Sequence, residues 1–378
     1  MRILHIITSL DAGGAQWVLI NILEQLKAKG VDQCLISMKP NGELAQQVID
    51  LGISLHEISF SPGTFIEATS RVNEIIASFQ PQVIQSWMYH GDFLTIFLRN
   101  PDHIPIIWGV HHSYEHFWRN RMKFFTKIIA RINAACSHII PNQIICCSHS
   151  AMKSHARIGY AASKMIHIPN GIAAERFIPD PQARNILRQE LGLDPQTCLI
   201  GYIARYHPQK DHALFFLSAD LFLAKNKDVH FVLVGEQVVT DNPEIKKWMS
   251  LSKTPENFHF LGKRTDLPMI TAALDLATLT SSGDEAFPLT IIEAMACEIP
   301  CVATDVGDVR LMLGPGGAIV PPHNPAALAA TWQQMLDKDP AERAAIGKDL
   351  RLRVLEHFTN QAMAEHYLDQ YKQVTKTA

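Results

Sequence analysis

Short apolar runs of strand length alternate along this chain with longer stretches whose apolar residues recur at helical spacing. Residues 2–8 form the first run and break at residues 9–11. Val18, Leu19, Leu23 and Leu26 then trace one face of a helix. The alternation continues with strands expected at 31–38, 55–58, 83–86, 104–110, 143–147 and 165–168. Beyond a proline-bearing stretch it resumes at 197–203, 229–234, 258–261, 274–280, 301–304 and 318–320. Repeated strand–helix units of this kind close as a mostly parallel sheet covered on both faces.

At 378 residues the chain exceeds one ordinary core, so two domains are expected. Residues 177–181, with Pro179 and Pro181, read as a linker and put the boundary near residue 180. Residues 1–180 are then one Rossmann-like domain, 181–358 a second, and 359–378 a C-terminal helix. Two α/β domains of similar size imply a deep crevice between them, the default place for a ligand. A charged fraction of 19% beside 47% hydrophobic residues is globular, and a net charge of −3 makes no case for nucleic acid. The start lacks a signal-peptide pattern and no apolar stretch reaches about 18 residues, so a cytoplasmic location is expected. Seven cysteines without zinc-site spacing read as buried thiols, and no metal site is expected.

In open parallel sheets, ligands bind beyond the carboxyl ends of strands, so polar residues there are the candidates. In the first half these are Gly13-Gly14, where backbone N–H groups can approach an anion or sugar, and His90, His111 and His112. In the second half Arg205 and Lys210 follow one strand, with a helix N-terminus close behind to add its positive end. Residues 281–308 form a βαβ unit whose loop carries Asp284 and Glu285, with Glu293 eight positions beyond Glu285 in the helix that follows. Paired cations suit a diphosphate and carboxylates suit vicinal hydroxyls, which together describe a nucleotide sugar.

The stretch EAFPLTIIE, from Glu285 to Glu293, resembles the E-x7-E signature of the retaining glycosyltransferases of family 4, which have the GT-B fold. Arg205 and Lys210 resemble that family's basic pair, Gly13-Gly14 its glycine-rich first loop, and Asn170-Gly171 with Phe177 its interdomain region. The resemblance covers nearly the whole chain. It implies two Rossmann-like parallel-sheet domains and a C-terminal helix that returns to the first. It also implies a nucleotide-sugar donor, a glycan or lipid-linked acceptor, and no obligatory cofactor or divalent metal. Glu293 would bind ribose and Glu285 would face the transferred sugar. Backbone N–H groups around Phe287, Leu289 and Thr290 would contact sugar or phosphate, and Arg264 would line the base pocket. His111, with His112 as the alternative, matches the family's functional histidine, and Gly13 and Gly14 would approach diphosphate or acceptor. Ala286 departs from the pattern, standing where the family commonly has glycine.

The resemblance implies transfer of a hexose or N-acetylhexosamine, from a donor expected to be UDP-linked, in cell-surface polysaccharide or lipopolysaccharide synthesis. A same-fold nucleotide-sugar epimerase or hydrolase, or a non-catalytic nucleotide-sugar-binding protein, are the alternatives. A dinucleotide oxidoreductase is disfavoured because neither domain has G-x-G-x-x-G after a strand. Residues 117–134, FWRNRMKFFTKIIARINA, read as a basic amphipathic helix. It suits either an anionic membrane at the inner face or ordinary packing of its apolar stripe on the sheet.

Overall fold

The first seven strands are β1 (Arg2–Ile7), β2 (Asp32–Ser37), β3 (Ser54–Glu57), β4 (Val83–Trp87), β5 (Ile106–Val110), β6 (Gln143–Cys146) and β7 (Met165–His167). They pair in parallel in the order β3-β2-β1-β4-β5-β6-β7. The next six are β8 (Cys198–Ile203), β9 (Val229–Val234), β10 (Phe258–Gly262), β11 (Leu276–Leu279), β12 (Cys301–Thr304) and β13 (Ala318–Val320). Their sheet, also parallel, has the order β10-β9-β8-β11-β12-β13. The computed structural model describes residues 1–100, 102–114, 124–283 and 285–377. β4 and β5 are buried at every position, as continuous apolar runs under helices on both faces require.

Contacts divide the chain into two units, Met1–Gly171 with Asn360–Ala378, and Ile172–Thr359. The division falls nine residues before the boundary expected from Pro179 and Pro181. Its cause is local. Ile172 forms a parallel bridge with Thr359 and its N–H donates to the Phe358 carbonyl at 2.9 Å, so the stretch after Gly171 folds with the second unit. The helix Asn360–Thr377 belongs to the first unit, where Lys29 meets Glu365 at 3.0 Å.

Several helices begin earlier than their apolar periodicity predicts, and for a common reason. Asp180-Pro181, Asn242-Pro243 and Asp339-Pro340 each place a side-chain oxygen on a first-turn N–H, with proline just inside the helix. The helix that follows β4 is Met88–Thr95, starting directly at the strand's end. Buried Asp92 holds it there by accepting from the Ser86 hydroxyl at 2.6 Å. In the second unit, Phe215, Phe216, Phe231, Phe258 and Trp332 form an aromatic core beneath β8 and β9. That core leaves the carboxyl ends of β8 and β11 as a firm platform for the loops above it.

Candidate functional site

β8 and β11 are neighbours at the point where the strand order of the second sheet reverses, with Ile200 opposite Leu276 and Gly201 opposite Ala277. Residues 75 apart in sequence are thereby delivered to one place. Beyond β8 the chain runs into a 3-10 turn, Pro208–Lys210, and then Asp211, which has φ +49° and caps the helix His212–Leu223 by accepting from the Leu214 N–H at 3.0 Å. The Lys210 carbonyl is held from below by the hydroxyls of Tyr202 and Thr280, the latter at 2.8 Å. Beyond β11 the Ser282 N–H donates to the Gln209 carbonyl at 2.9 Å, tying the second loop to the first.

Between these loops Lys210 Nζ lies 2.6 Å from Glu285 Oε2, and the same oxygen accepts from the Ser281 hydroxyl at 2.8 Å. The pair is shielded, with side-chain exposures of 17% and 10%. Gly307, in the turn after β12, packs against the back of Glu285. At φ +54° a Cβ there would stand 1.7 Å from the Glu285 carbonyl oxygen, so only glycine fits without moving the loop. Ala286 is buried and is not among the described non-glycine residues with positive φ, so this loop takes alanine without backbone strain. Asp284 lies outside the described residues.

The helix Leu289–Ala296 starts after Pro288 with no side-chain cap, and the N–H groups of Leu289 and Thr290 in its first turn have no acceptor within the helix. Phe287 is buried edge-on to Phe358. Glu293 is partly covered. Burial pushes its carboxyl up to about 7, against the opposing pull of Arg176. Arg205 is exposed just past β8. Arg264, just past β10, is gripped by Asp266 at 2.6 and 2.8 Å and by Glu190 at 2.6 Å, so its guanidinium is largely committed to these carboxylates.

In the first unit the sheet reverses between β1 and β4. Gly13 is extended and precedes the helix Gly14–Ala28, whose N-terminus carries no side-chain cap; a Cβ at Gly14 would meet nothing within 4 Å. His111, just past β5, stacks on Trp87 with ring centroids 4.8 Å apart, and the Tyr367 hydroxyl lies 3.5 Å from its Nε2. Tyr367 comes from the C-terminal helix and stacks in turn on Trp87. Burial lowers the His111 pKa to about 4, with Asn170 opposing, so the ring is neutral at pH 7. His112 is placed differently, edge-on to Tyr89 and beside His155, with its pKa held well below the usual value by burial. His90 lies on the helix Met88–Thr95, partly buried.

Of the sequence candidates, the structure brings Lys210 and Glu285 into contact. Ser281, Gly307, Trp87 and Tyr367 escaped the sequence reading; only Trp87, an aromatic at a strand end, carried a signal that could have exposed its place. Residues 117–123 of the basic amphipathic segment lie outside the described residues. In the helix Phe124–Cys136, Ala130 and Ala134 face inward, while Phe124 and Phe125 are 71% and 75% exposed and Ile128 and Ile132 are also exposed. Among the described residues, four of its five large apolar side chains are therefore exposed, and Ile129 packs against the core beside Ala130, Ala134 and Cys136. Among the described residues no helix is long and apolar enough to cross a membrane.

Comparison with known proteins bears on both units. A family profile described as Glycosyltransferase Family 4 matches residues 12–176, and one described as Glycosyl transferases group 1 matches residues 197–338. The chain is 25% identical over 331 residues to EpsF of Bacillus subtilis (strain 168), named as a glycosyltransferase, a match covering 80% of this chain and 79% of that one. It is 29% identical over 146 residues to the UDP-Gal:alpha-D-GlcNAc-diphosphoundecaprenol alpha-1,3-galactosyltransferase of Escherichia coli. That match covers 38% of this chain and only 37% of the relative's length. The crystal structure of Anabaena Alr3699/HepE in complex with UDP has the same fold, with a TM-score of 0.87 at 19% identity over 99% of this chain and 100% of that one. With both units matched, the chain belongs to the family 4 glycosyltransferases, of GT-B fold.

Proposed function

We propose that this glycosyltransferase moves a hexose or N-acetylhexosamine, with retention, from a UDP-linked donor to a glycan or lipid-linked glycan in cell-surface polysaccharide or lipopolysaccharide synthesis. The observation that carries the reading is the meeting of Lys210 and Glu285 at the switch point of the second sheet. A cation for diphosphate and a carboxylate for sugar hydroxyls stand there within one hydrogen bond of each other. The UDP bound to HepE and the UDP-sugar named for the E. coli relative support the choice of nucleotide, and the latter's diphospholipid supports the acceptor class.

In this reading Arg205 and Lys210 hold the diphosphate beside the N-terminus of the helix His212–Leu223. Glu293 accepts from the ribose hydroxyls and Glu285 from the sugar. The first-turn N–H groups of Leu289 and Thr290, with the backbone at Phe287, complete the grip. Gly13, Gly14 and neutral His111 serve the reaction from the first unit, and Arg264 stays a structural clamp unless base binding releases it. The acceptor hydroxyl attacks the anomeric carbon on the face that the diphosphate leaves. The C1–O bond to phosphate breaks, the new C1–O bond forms, and the acceptor's proton passes to the departing phosphate oxygen. Arg205 and Lys210 stabilise the charge that builds on the leaving group, so no divalent metal is required.

The exposed Phe124, Phe125, Ile128 and Ile132, with Lys127 and Arg131 on the same helix, fit contact with an anionic membrane surface bearing the acceptor. Cosedimentation with anionic but not neutral vesicles is the expected behaviour, and equal indifference to both would remove this part. The main test is a panel of UDP-, GDP- and ADP-sugars with mixed lipid-linked acceptors, reading product by mass and anomeric configuration by NMR. A retained glycosidic product from a UDP-sugar is expected. Tight donor binding without transfer to any acceptor would replace the catalytic reading with a binding one.

A further inference from the structure

Within the second unit the two opposite charges of this site satisfy each other. Lys210 and Glu285 sit at 2.6 Å, shielded from solvent, and a buried hydroxyl from Ser281 steadies the same carboxylate oxygen. The lysine backbone is clamped by Tyr202 and Thr280, and the glutamate backbone is braced by Gly307, so neither partner can drift far to find another. A diphosphate drawn to Lys210 therefore competes with Glu285 for the same ammonium. We infer that Glu285 makes this site favour the intact donor over the nucleoside diphosphate left after transfer, by competing for Lys210 whenever no sugar is present. The inference rests on the reading of this site as the donor site.

The charges follow from that competition. An intact donor supplies both replacements at once, phosphate oxygens for the ammonium and sugar hydroxyls as donors to the carboxylate. After transfer the hydroxyls leave with the product. Among the described residues the carboxylate then keeps the Ser281 hydroxyl alone, in a shielded place and beside a dianionic or trianionic ligand, which is unfavourable on both counts. Re-forming the ion pair relieves both and expels the diphosphate. A single glutamate thus has two tasks in one turnover: it holds the sugar on the way in and displaces the spent nucleotide on the way out. Loss of the carboxylate should consequently strengthen binding of the product nucleotide, which is the reverse of what removing an ordinary contact does.

The test is calorimetric titration of UDP into the full chain as wild type, Glu285→Gln, Lys210→Ala and the double variant. Glu285→Gln is expected to bind UDP about ten-fold more tightly than wild type, the scale of a typical coupling between sites. In the Lys210→Ala background the same substitution should strengthen UDP binding clearly less than in wild type, because only the direct repulsion of the anion is then relieved; an equal gain in both backgrounds would overturn the competition for Lys210. Glu285→Ala, expected to shift in the same direction, covers the case in which the glutamine variant does not fold. Equal or weaker UDP binding by the Glu285 variants, while Lys210→Ala still weakens it, overturns the inference and leaves the donor site standing. UDP binding that Lys210→Ala does not weaken overturns both.

Discussion

The two switch points of this protein are built alike and furnished differently. Each lies where a parallel sheet reverses its strand order, β1 beside β4 in the first unit and β8 beside β11 in the second. At the second, the loops deliver opposite charges, Lys210 and Glu285, and leave a raised carboxyl at Glu293 nearby in the chain. In the first unit, Trp87 at the end of β4 stacks with His111 from just past β5 and with Tyr367 of the C-terminal helix, and the histidine is kept neutral by burial. One topology therefore hosts two chemistries. Charge at the second unit suits a diphosphate and sugar hydroxyls, whereas a neutral imidazole on an aromatic bed suits positioning of an uncharged group.

Two glycines offer the sharpest way to break this contrast. Gly307→Ala in the second unit must displace the Glu285 carbonyl from a left-handed turn, with an expected loss of about 2–4 kcal/mol of stability and a misplaced carboxylate. Gly14→Ala in the first unit enters open space in the first turn of a helix, and should leave stability unchanged or raise it by up to about 1 kcal/mol. Denaturant unfolding of the two variants reads both values. Comparable losses would mean that the first loop is as tightly braced as the second. A stable Gly14→Ala enzyme with reduced transfer would mark that loop as one a ligand approaches.

The smaller effect concerns Glu293. Its ordinary pKa is 4.5 and the fold raises it to about 7, chiefly by burial. Between those values the native state keeps a proton that the unfolded chain has lost, so rising pH favours unfolding across that window. The wild type should lose on the order of 2 kcal/mol from this group between pH 4.5 and 7, the loss levelling off about one pH unit above that. Thermal unfolding of Glu293→Gln against wild type checks this. The difference between them should grow with pH, and a constant difference would show that the fold does not raise the Glu293 carboxyl.

Much of this architecture was legible in the sequence because it repeats. Apolar runs gave the strands, and Asx-Pro pairs would have corrected the helix starts had they outweighed periodicity. Glu285, Glu293, Arg205 and Lys210 stood out because motifs of this kind are contiguous or nearly so. Their relation did not stand out. The sequence assigned Lys210 and Glu285 separate ligands, and only the adjacency of β8 and β11 shows that each is the other's partner. The C-terminal helix returning to the first unit was expected, but nothing within it singled out Tyr367 as the residue that reaches His111. Gly307 looked like any turn glycine until the backbone of Glu285 was seen against it. Ala286, the one departure from the motif, proved harmless because the loop does not need a positive φ there.

The central claim is that the charged switch point of the second unit, and not the aromatic one of the first, recognises the donor nucleotide. UDP affinity and transfer rate, measured side by side for Lys210→Ala and His111→Ala, test it directly. Lys210→Ala is expected to weaken UDP binding by at least about ten-fold, the worth of one charged hydrogen bond. His111→Ala should bind UDP within about two-fold of wild type and yet transfer sugar about 100-fold more slowly. If instead His111→Ala loses UDP as heavily as Lys210→Ala, or Lys210→Ala keeps it, the division of labour drawn here is wrong.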